Sequence, residues 1–396
     1  MSVPLAQHWN LDSQQTFLNH GSFGACPREI LEKQGSLRNH LERNPVEFLA
    51  FQVEALLNES SHRLAGFLKA PASDIAFVPN ATHGVNAVLK SLRFAPGDEL
   101  LVTNHEYNAC RQTLDHVAEI WGASIVVADI PFPIADAQEA THALLEKVSP
   151  KTKFCLVDHI TSATALVLPV EKIVPALQAQ GVEVMVDGAH APGMLNLDLA
   201  KLGADYYTGN CHKWLCSPKG AGFLYVQPKH QEKIHPAVTS HGRNSTRKDI
   251  SRFHEEFHWT GTSDPTAWLC VGDTLDWMSH LLPGGWGQIR RQNHELVCEA
   301  RRTLCARWEM PPLCPESMLG SMACIQLPRM KVGGVPLADG PTLESPLTHA
   351  LRAEGITVPV ISWPSPVGNM VRISAQVYNS RSDYEHLADF VNGLRV

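Results

Sequence analysis

Residues 182–222 run VEVMVDGAHAPGMLNLDLAKLGADYYTGNCHKWLCSPKGAG. The run 182–186 is almost continuously apolar and closes on Asp187, another strand precedes His212-Lys213, and Gly222-Phe223-Leu224-Tyr225-Val226 follows as the next. Strands that are apolar on both faces lie between helix layers in a mostly parallel sheet. Upstream, the same pattern recurs at 75–78, 100–102, 124–127 and 154–157. Between these runs lie segments with helical spacing, such as Ile30, Leu31, Leu37 and Leu41, or Leu56, Leu57, Leu64 and Phe67. Turn residues Pro96-Gly97-Asp98 and Gly181 punctuate them. Strands alternating with helices predict an α/β layered domain.

The chain has 396 residues, beyond the size at which a single core stops growing. After Pro265 the pattern changes to long helices at 268–281 and 287–308, then to an ending around Val371-Arg372-Ile373-Ser374. We therefore expect an N-terminal segment 1–16, a large α/β domain 17–274 and a smaller α+β domain 275–396. A hydrophobic share of 44%, a charged share of 18% and a net charge of −7 suit a soluble globular protein and disfavour nucleic acid or an anionic membrane as partner. The ten cysteines show no CxxC pair with metal spacing. His254 and His258 lack the glutamate of a zinc-protease helix, so no metal site is expected. Reduced thiols, no basic start leading into an apolar segment and no run long enough for a bilayer point to the cytoplasm.

In open parallel sheets, ligands sit beyond the carboxyl ends of the strands. There, Asp187 is either a cap for the next helix or a buried acid that needs a cation. Lys213, flanked by Cys211-His212 and Trp214-Leu215, is a lysine in apolar surroundings, where desolvation favours the neutral, nucleophilic amine. This acid and this lysine are the pair that pyridoxal phosphate chemistry needs: the amine condenses with the aldehyde, and the carboxylate holds the protonated ring nitrogen. Asn80-Ala81-Thr82-His83-Gly84 opens a helix after an apolar run, either as a cap alone or as a cradle for a phosphate. Thr208 and His212 are further candidate phosphate contacts. Tyr107 is a candidate stacking ring or a core aromatic, and Asp158-His159-Ile160-Thr161-Ser162 offers either a turn or a hydroxyl for the phenolic oxygen of the cofactor.

Taken in order, six segments resemble the class V group of fold-type I pyridoxal phosphate enzymes, which includes cysteine desulfurases, and most closely its isopenicillin N epimerase-like members. They are Phe17-Leu18-Asn19-His20-Gly21-Ser22-Phe23-Gly24, Asn80-Ala81-Thr82, Val186-Asp187-Gly188-Ala189-His190, Cys211-His212-Lys213-Trp214, Trp259-Thr260-Gly261-Thr262-Ser263-Asp264-Pro265 and Val371-Arg372-Ile373-Ser374 before Tyr378-Asn379. The resemblance implies that Lys213 carries the cofactor, Asp187 holds its ring nitrogen and His190 supports the ring. It implies phosphate contacts from Ala81, Thr82, Thr208 and His212, stacking by Tyr107, and a homodimer in which Thr262 reaches the other subunit's phosphate. Arg372 would bind the substrate α-carboxylate through its guanidinium fork, with Asn19, His20 and Gly21 lining the substrate side. Two departures stand out: Ser162 replaces the usual asparagine and Ala165 a usual glycine. The segment 355–366 also contains no cysteine, where desulfurases carry the one that accepts sulfur.

The expected activity is thus on Cα of an amino acid, with Lys213 as the base that takes the Cα proton. Reprotonation on the opposite face gives epimerisation, protonation on the cofactor carbon gives transamination, and loss of a β-substituent gives a C–S lyase. Epimerisation calls for a second acid, for which His20, His83 and His241 are candidates. A protein that binds the cofactor without turnover is the alternative from another class. Retention of Lys213, Asp187 and Arg372 argues against it.

Overall fold

The apolar runs assemble into a seven-stranded sheet in a computed structural model that describes residues 5–336 and 345–395. Its strands are β1 (Ile75–Val78), β2 (Glu99–Thr103), β3 (Ser124–Ala128), β4 (Thr152–Asp158), β5 (Glu183–Asp187), β6 (Tyr206–Asn210) and β7 (Gly222–Val226). Their spatial order is β1-β7-β6-β5-β4-β2-β3. Neighbours from β6 through to β3 pair in parallel, and β7 runs antiparallel to both β6 and β1. Strands β1, β6 and β7 are buried at every position, because separate hydrophobic clusters cover the two faces of the sheet. Full burial of one such Val, Leu or Phe is worth about 1.5–3 kcal/mol, which explains why these runs show no polar alternation.

A second, three-stranded antiparallel sheet is built from Met322–Gln326, Val360–Trp363 and Gly368–Ser374, with the last strand at its centre. The long helix Gly285–Trp308 packs on it, and the terminal helix Arg381–Gly393 packs on that helix. The helix Thr266–Leu281 packs on Val53–Leu68 and Arg28–Arg43, so we propose placing the boundary expected near residue 275 at the turn after Leu281. The N-terminal segment ties the two parts together: Thr16–Phe17 pairs in parallel with Ile356–Thr357, and Ser374 donates its N–H to Leu18 O. Beyond that strand the chain passes under the Lys213 loop at Gly24 (φ 70°), where a Cβ would lie 2.0 Å from His212 O. Only glycine permits that approach without a shift of backbone. All ten cysteines are unpaired, and among the described residues no helix is long and apolar enough to cross a membrane.

Candidate active site

The carboxyl ends of five strands and the N-terminal segment converge on a cavity of about 220 Å³. β1 leads into Asn80, Ala81 and Thr82, and the loop after β2 brings Tyr107. Asp158 and Ser162 follow β4, Asp187, Ala189 and His190 follow β5, and Asn210, His212 and Lys213 follow β6. Ser22 and Phe23 close the wall. A larger groove of about 990 Å³ lies at the opposite end of the sheet, beside Asp98, Lys153 and Glu183, and contains none of the candidate cofactor, substrate or catalytic residues.

Asp187 is 2% exposed; its Oδ1 accepts from Ala189 N–H at 2.9 Å and its Oδ2 from the Cys110 thiol at 3.2 Å. Burial pushes its pKa up. Among the described residues no lysine, arginine or histidine pairs with it, although it faces the cavity. A buried carboxylate without a cation is costly, and the N–H of a protonated pyridine supplies the missing partner. The donor set therefore fits the cofactor.

Lys213 Nζ lies 3.1 Å from His190 Nε2, and His190 Nδ1 accepts from the Trp214 indole N–H at 3.4 Å. Burial first, then the nearby cations, hold His190 well below the usual histidine range, so its ring is neutral. With Nδ1 occupied as an acceptor, the single ring proton belongs on Nε2, assigned from this bonding pattern, and points at Nζ. Lysine can receive that bond only as a free amine. Burial and the Arg372 charge act in the same direction, lowering the Lys213 pKa from 10.5 to about 8.

The helix Ala81–Ser91 is capped by Asn80, whose Oδ1 accepts from His83 N–H at 3.1 Å. Ala81 N–H donates to Asn210 Oδ1 at 2.9 Å, so its expected phosphate contact is already taken. Thr82 lines the cavity at the first turn, where the helix dipole favours an anion. His212 also lines it, but its Nδ1–H donates to Ala221 O at 3.0 Å and burial lowers its pKa to about 4, so Nε2 of the neutral ring is an acceptor and the expected phosphate contact would need the ring protonated.

Thr208 departs from expectation. It is fully buried, donates to Phe223 O at 2.8 Å, and packs so closely on Gly84 that a Cβ there would meet its Oγ1 at 2.2 Å. Two residues on, on the same face of β6, Asn210 lines the cavity in its place. Sequence alone placed the right face of the strand but the wrong depth.

His20, too, is not a substrate contact. Its ring is 0% exposed, bonded to Tyr378 OH (2.8 Å) and Lys213 O (3.0 Å), and burial drives its pKa down to about 3. It supports the Lys213 loop from behind. Gly21 packs against Met322 and Trp214, and Asn19 accepts from Ser22 Oγ at 2.6 Å, so neither lines the cavity. Their neighbours Ser22 and Phe23 do, and the former also accepts from Arg372 Nη2 at 3.1 Å. His83 and His241 line other hollows. Thr262 is exposed and does not reach this cavity within the chain.

Arg372, on the central strand of the small sheet, is 5% exposed and not among the residues that line the cavity; it donates to the Ser162 carbonyl and to Ser22, both of which do line it. Ser162 Oγ also faces Arg372, at 3.4 Å, so this serine braces the guanidinium in addition to lining the cavity. Ala165 adopts φ 59°, the left-handed conformation in which a side chain costs about 1–2 kcal/mol. Tyr107, 46% exposed, stands at the cavity wall.

Residues 25–387 match the family model described as aminotransferase class-V. The chain is 32% identical over 400 residues to an isopenicillin N epimerase of Streptomyces clavuligerus, covering 97% of this chain and 96% of the relative. It is 30% identical to a probable L-cysteine desulfhydrase, chloroplastic, of Arabidopsis thaliana, covering 95% and 82%. The fold is that of the cystine C-S lyase C-DES, solved with its product cysteine persulfide, at a TM-score of 0.79 and 21% identity over 97% of this chain and 99% of that one.

Proposed function

Because the chain belongs to the aminotransferase class V family of pyridoxal phosphate enzymes, we propose that it removes the Cα proton of a small amino acid and expels a sulfur substituent from Cβ. When bound, pyridoxal phosphate supplies the sink for the electron pair left at Cα. Lys213 would hold the cofactor and, once released by the substrate amine, accept the Cα proton at Nζ. The His190 Nε2–H would orient that amine and favour its uncharged form. Asp187 would hold the ring nitrogen, Thr82 and Asn210 the phosphate end, and Tyr107 a face of the ring. Arg372, braced by Ser162 and Ser22, would fix the α-carboxylate and so set which Cα bond is cleaved.

The observation that carries elimination over epimerisation is the placement of the three candidate second acids. His20 is sealed beneath the Lys213 loop and His83 and His241 lie at other hollows, while among the described residues Lys213 is the one lysine that lines the cavity. Elimination needs a single base at Cα. The relatives named for L-cysteine desulfhydrase support the same direction. A second reading, epimerisation, is favoured by the half-exposed Tyr107 phenol at the wall and by identity to isopenicillin N epimerase.

Purified holoenzyme should be offered L-cysteine, L-cystine and L-alanine, with sulfide, pyruvate, keto acid and chirality measured together. Sulfide and pyruvate support elimination. Inversion without bond loss at Cβ replaces it with epimerisation, and keto acid with amine retained on the enzyme replaces it with transamination. Borohydride reduction and peptide mapping test the anchor, and a label away from Lys213 would refute the whole assignment.

A further inference from the structure

Beneath the cavity lies a buried acidic cluster. Asp158 and Asp187 are register partners at the ends of β4 and β5, 3% and 2% exposed. A Glu106 oxygen, Cys110 Sγ and an Asp187 oxygen all lie within 4.8 Å of one another. Both Glu106 oxygens and Asp158 Oδ2 are shielded from solvent, no side-chain donor among the described residues other than a protonated carboxyl of the pair reaches them, and the two carboxyls face each other. Other groups nearby are Arg111 on the helix Asn108–Trp121, Cys155 on β4, Tyr207 on β6 and Lys213 after it. Arg111 is bonded to Asp115 at 2.8 Å, so it does not serve this cluster directly.

We propose that Glu106 and Asp158 are positioning residues held as neutral carboxyls, so that the single negative charge of the cluster resides on Asp187. This deepens the proposed function and rests on Asp187 facing the cofactor ring. Three ionised carboxylates at this depth, none paired with a cation, would each carry a desolvation cost and repel one another. Two carboxylates cannot hydrogen-bond; a proton on one lets it donate to the other, which gives the orphaned oxygens partners. Burial and mutual repulsion push both Glu106 and Asp158 well above the usual carboxylate range. Asp187 differs because Ala189 N–H and the Cys110 thiol both donate to it and favour its charged form, against the burial that pushes its pKa up. With its neighbours neutral, its charge is available undivided to a ring N–H.

The test is infrared difference spectroscopy of the full chain at neutral pH, with and without cofactor, comparing wild type with Glu106→Gln, Asp158→Asn and the double variant. A neutral-carboxyl band is expected in wild type, reduced by about half in each single variant and lost in the double variant. No such band in wild type, its survival in the double variant, or a divalent cation copurifying in stoichiometric amount would overturn the proposal. Nitrogen NMR of ring-labelled cofactor adds a second readout: the ring should stay protonated in the double variant and lose its proton in Asp187→Asn. Loss in the double variant also overturns it. If no cofactor binds Lys213, the proposed function fails, whereas the spectra of the cofactor-free chain still judge the proton inventory.

Discussion

The reactivity of Lys213 can be perturbed through Arg372. Burial is the main reason its pKa falls from 10.5 to about 8, and the Arg372 charge is the next. At pH 7 an amine of pKa 8 is neutral in about one molecule in eleven, against about one in 3,000 at 10.5, a gain of roughly 300-fold in reactive form. Uptake of pyridoxal phosphate by cofactor-free protein should therefore accelerate about tenfold per pH unit below pH 8 and level off above it. In Arg372→Gln the levelling should move to higher pH, with slower uptake at pH 7. Stopped-flow absorbance, normalised to a simple alkylamine so that the cofactor's own ionisations cancel, measures both curves. Wild-type uptake that keeps rising tenfold per unit to about pH 9.5, or an unshifted curve in Arg372→Gln, would refute the depressed amine.

Asp187→Asn should retain cofactor but lose turnover by about a hundred- to a thousandfold, because the amide cannot sustain a charged ring nitrogen; wild-type rates would leave Asp187 a purely structural role. Arg372→Lys should raise KM for the amino acid about ten- to a hundredfold, the worth of one or two charge-assisted hydrogen bonds, and an unchanged KM would remove Arg372 from carboxylate binding. We expect a homodimer in which Thr262→Ala weakens cofactor retention; a monomer by sedimentation with full cofactor occupancy would exclude the shared site. His20, neutral in the fold with a pKa of about 3 against 6.5 when unfolded, contributes stability that is complete above the unfolded value and is lost as the pH falls towards 3. Between pH 7.5 and 5 its share of that loss is roughly 2 kcal/mol, so urea unfolding of His20→Gln should depend less on pH than wild type, and equal slopes would show that the ring is not buried neutral.

The strands were readable along the chain because a sheet covered on both faces demands uninterrupted apolar runs, and 75–78 and 222–226 match β1 and β7 to the residue. Strand-end chemistry was readable too: a polar group after such a run has one place to go, the carboxyl edge, and Lys213, Asp187, His190, Tyr107 and Thr82 all meet there. Depth and facing were not. Thr208 and Asn210 share a face of β6, so periodicity cannot say which reaches the rim; the close packing of Gly84 on Thr208 decides it. His20 sits within a motif that borders the site, yet Tyr378 and the Lys213 carbonyl, contributed from distant sequence, turn its ring into the core while Ser22 faces the cavity. The acidic cluster likewise appears only when β4 and β5 come into register and bring Asp158 beside Asp187. Local sequence sets which residues are apolar and where an element stops. The surroundings of a side chain, and hence its charge and its partners, come from segments brought together only by folding.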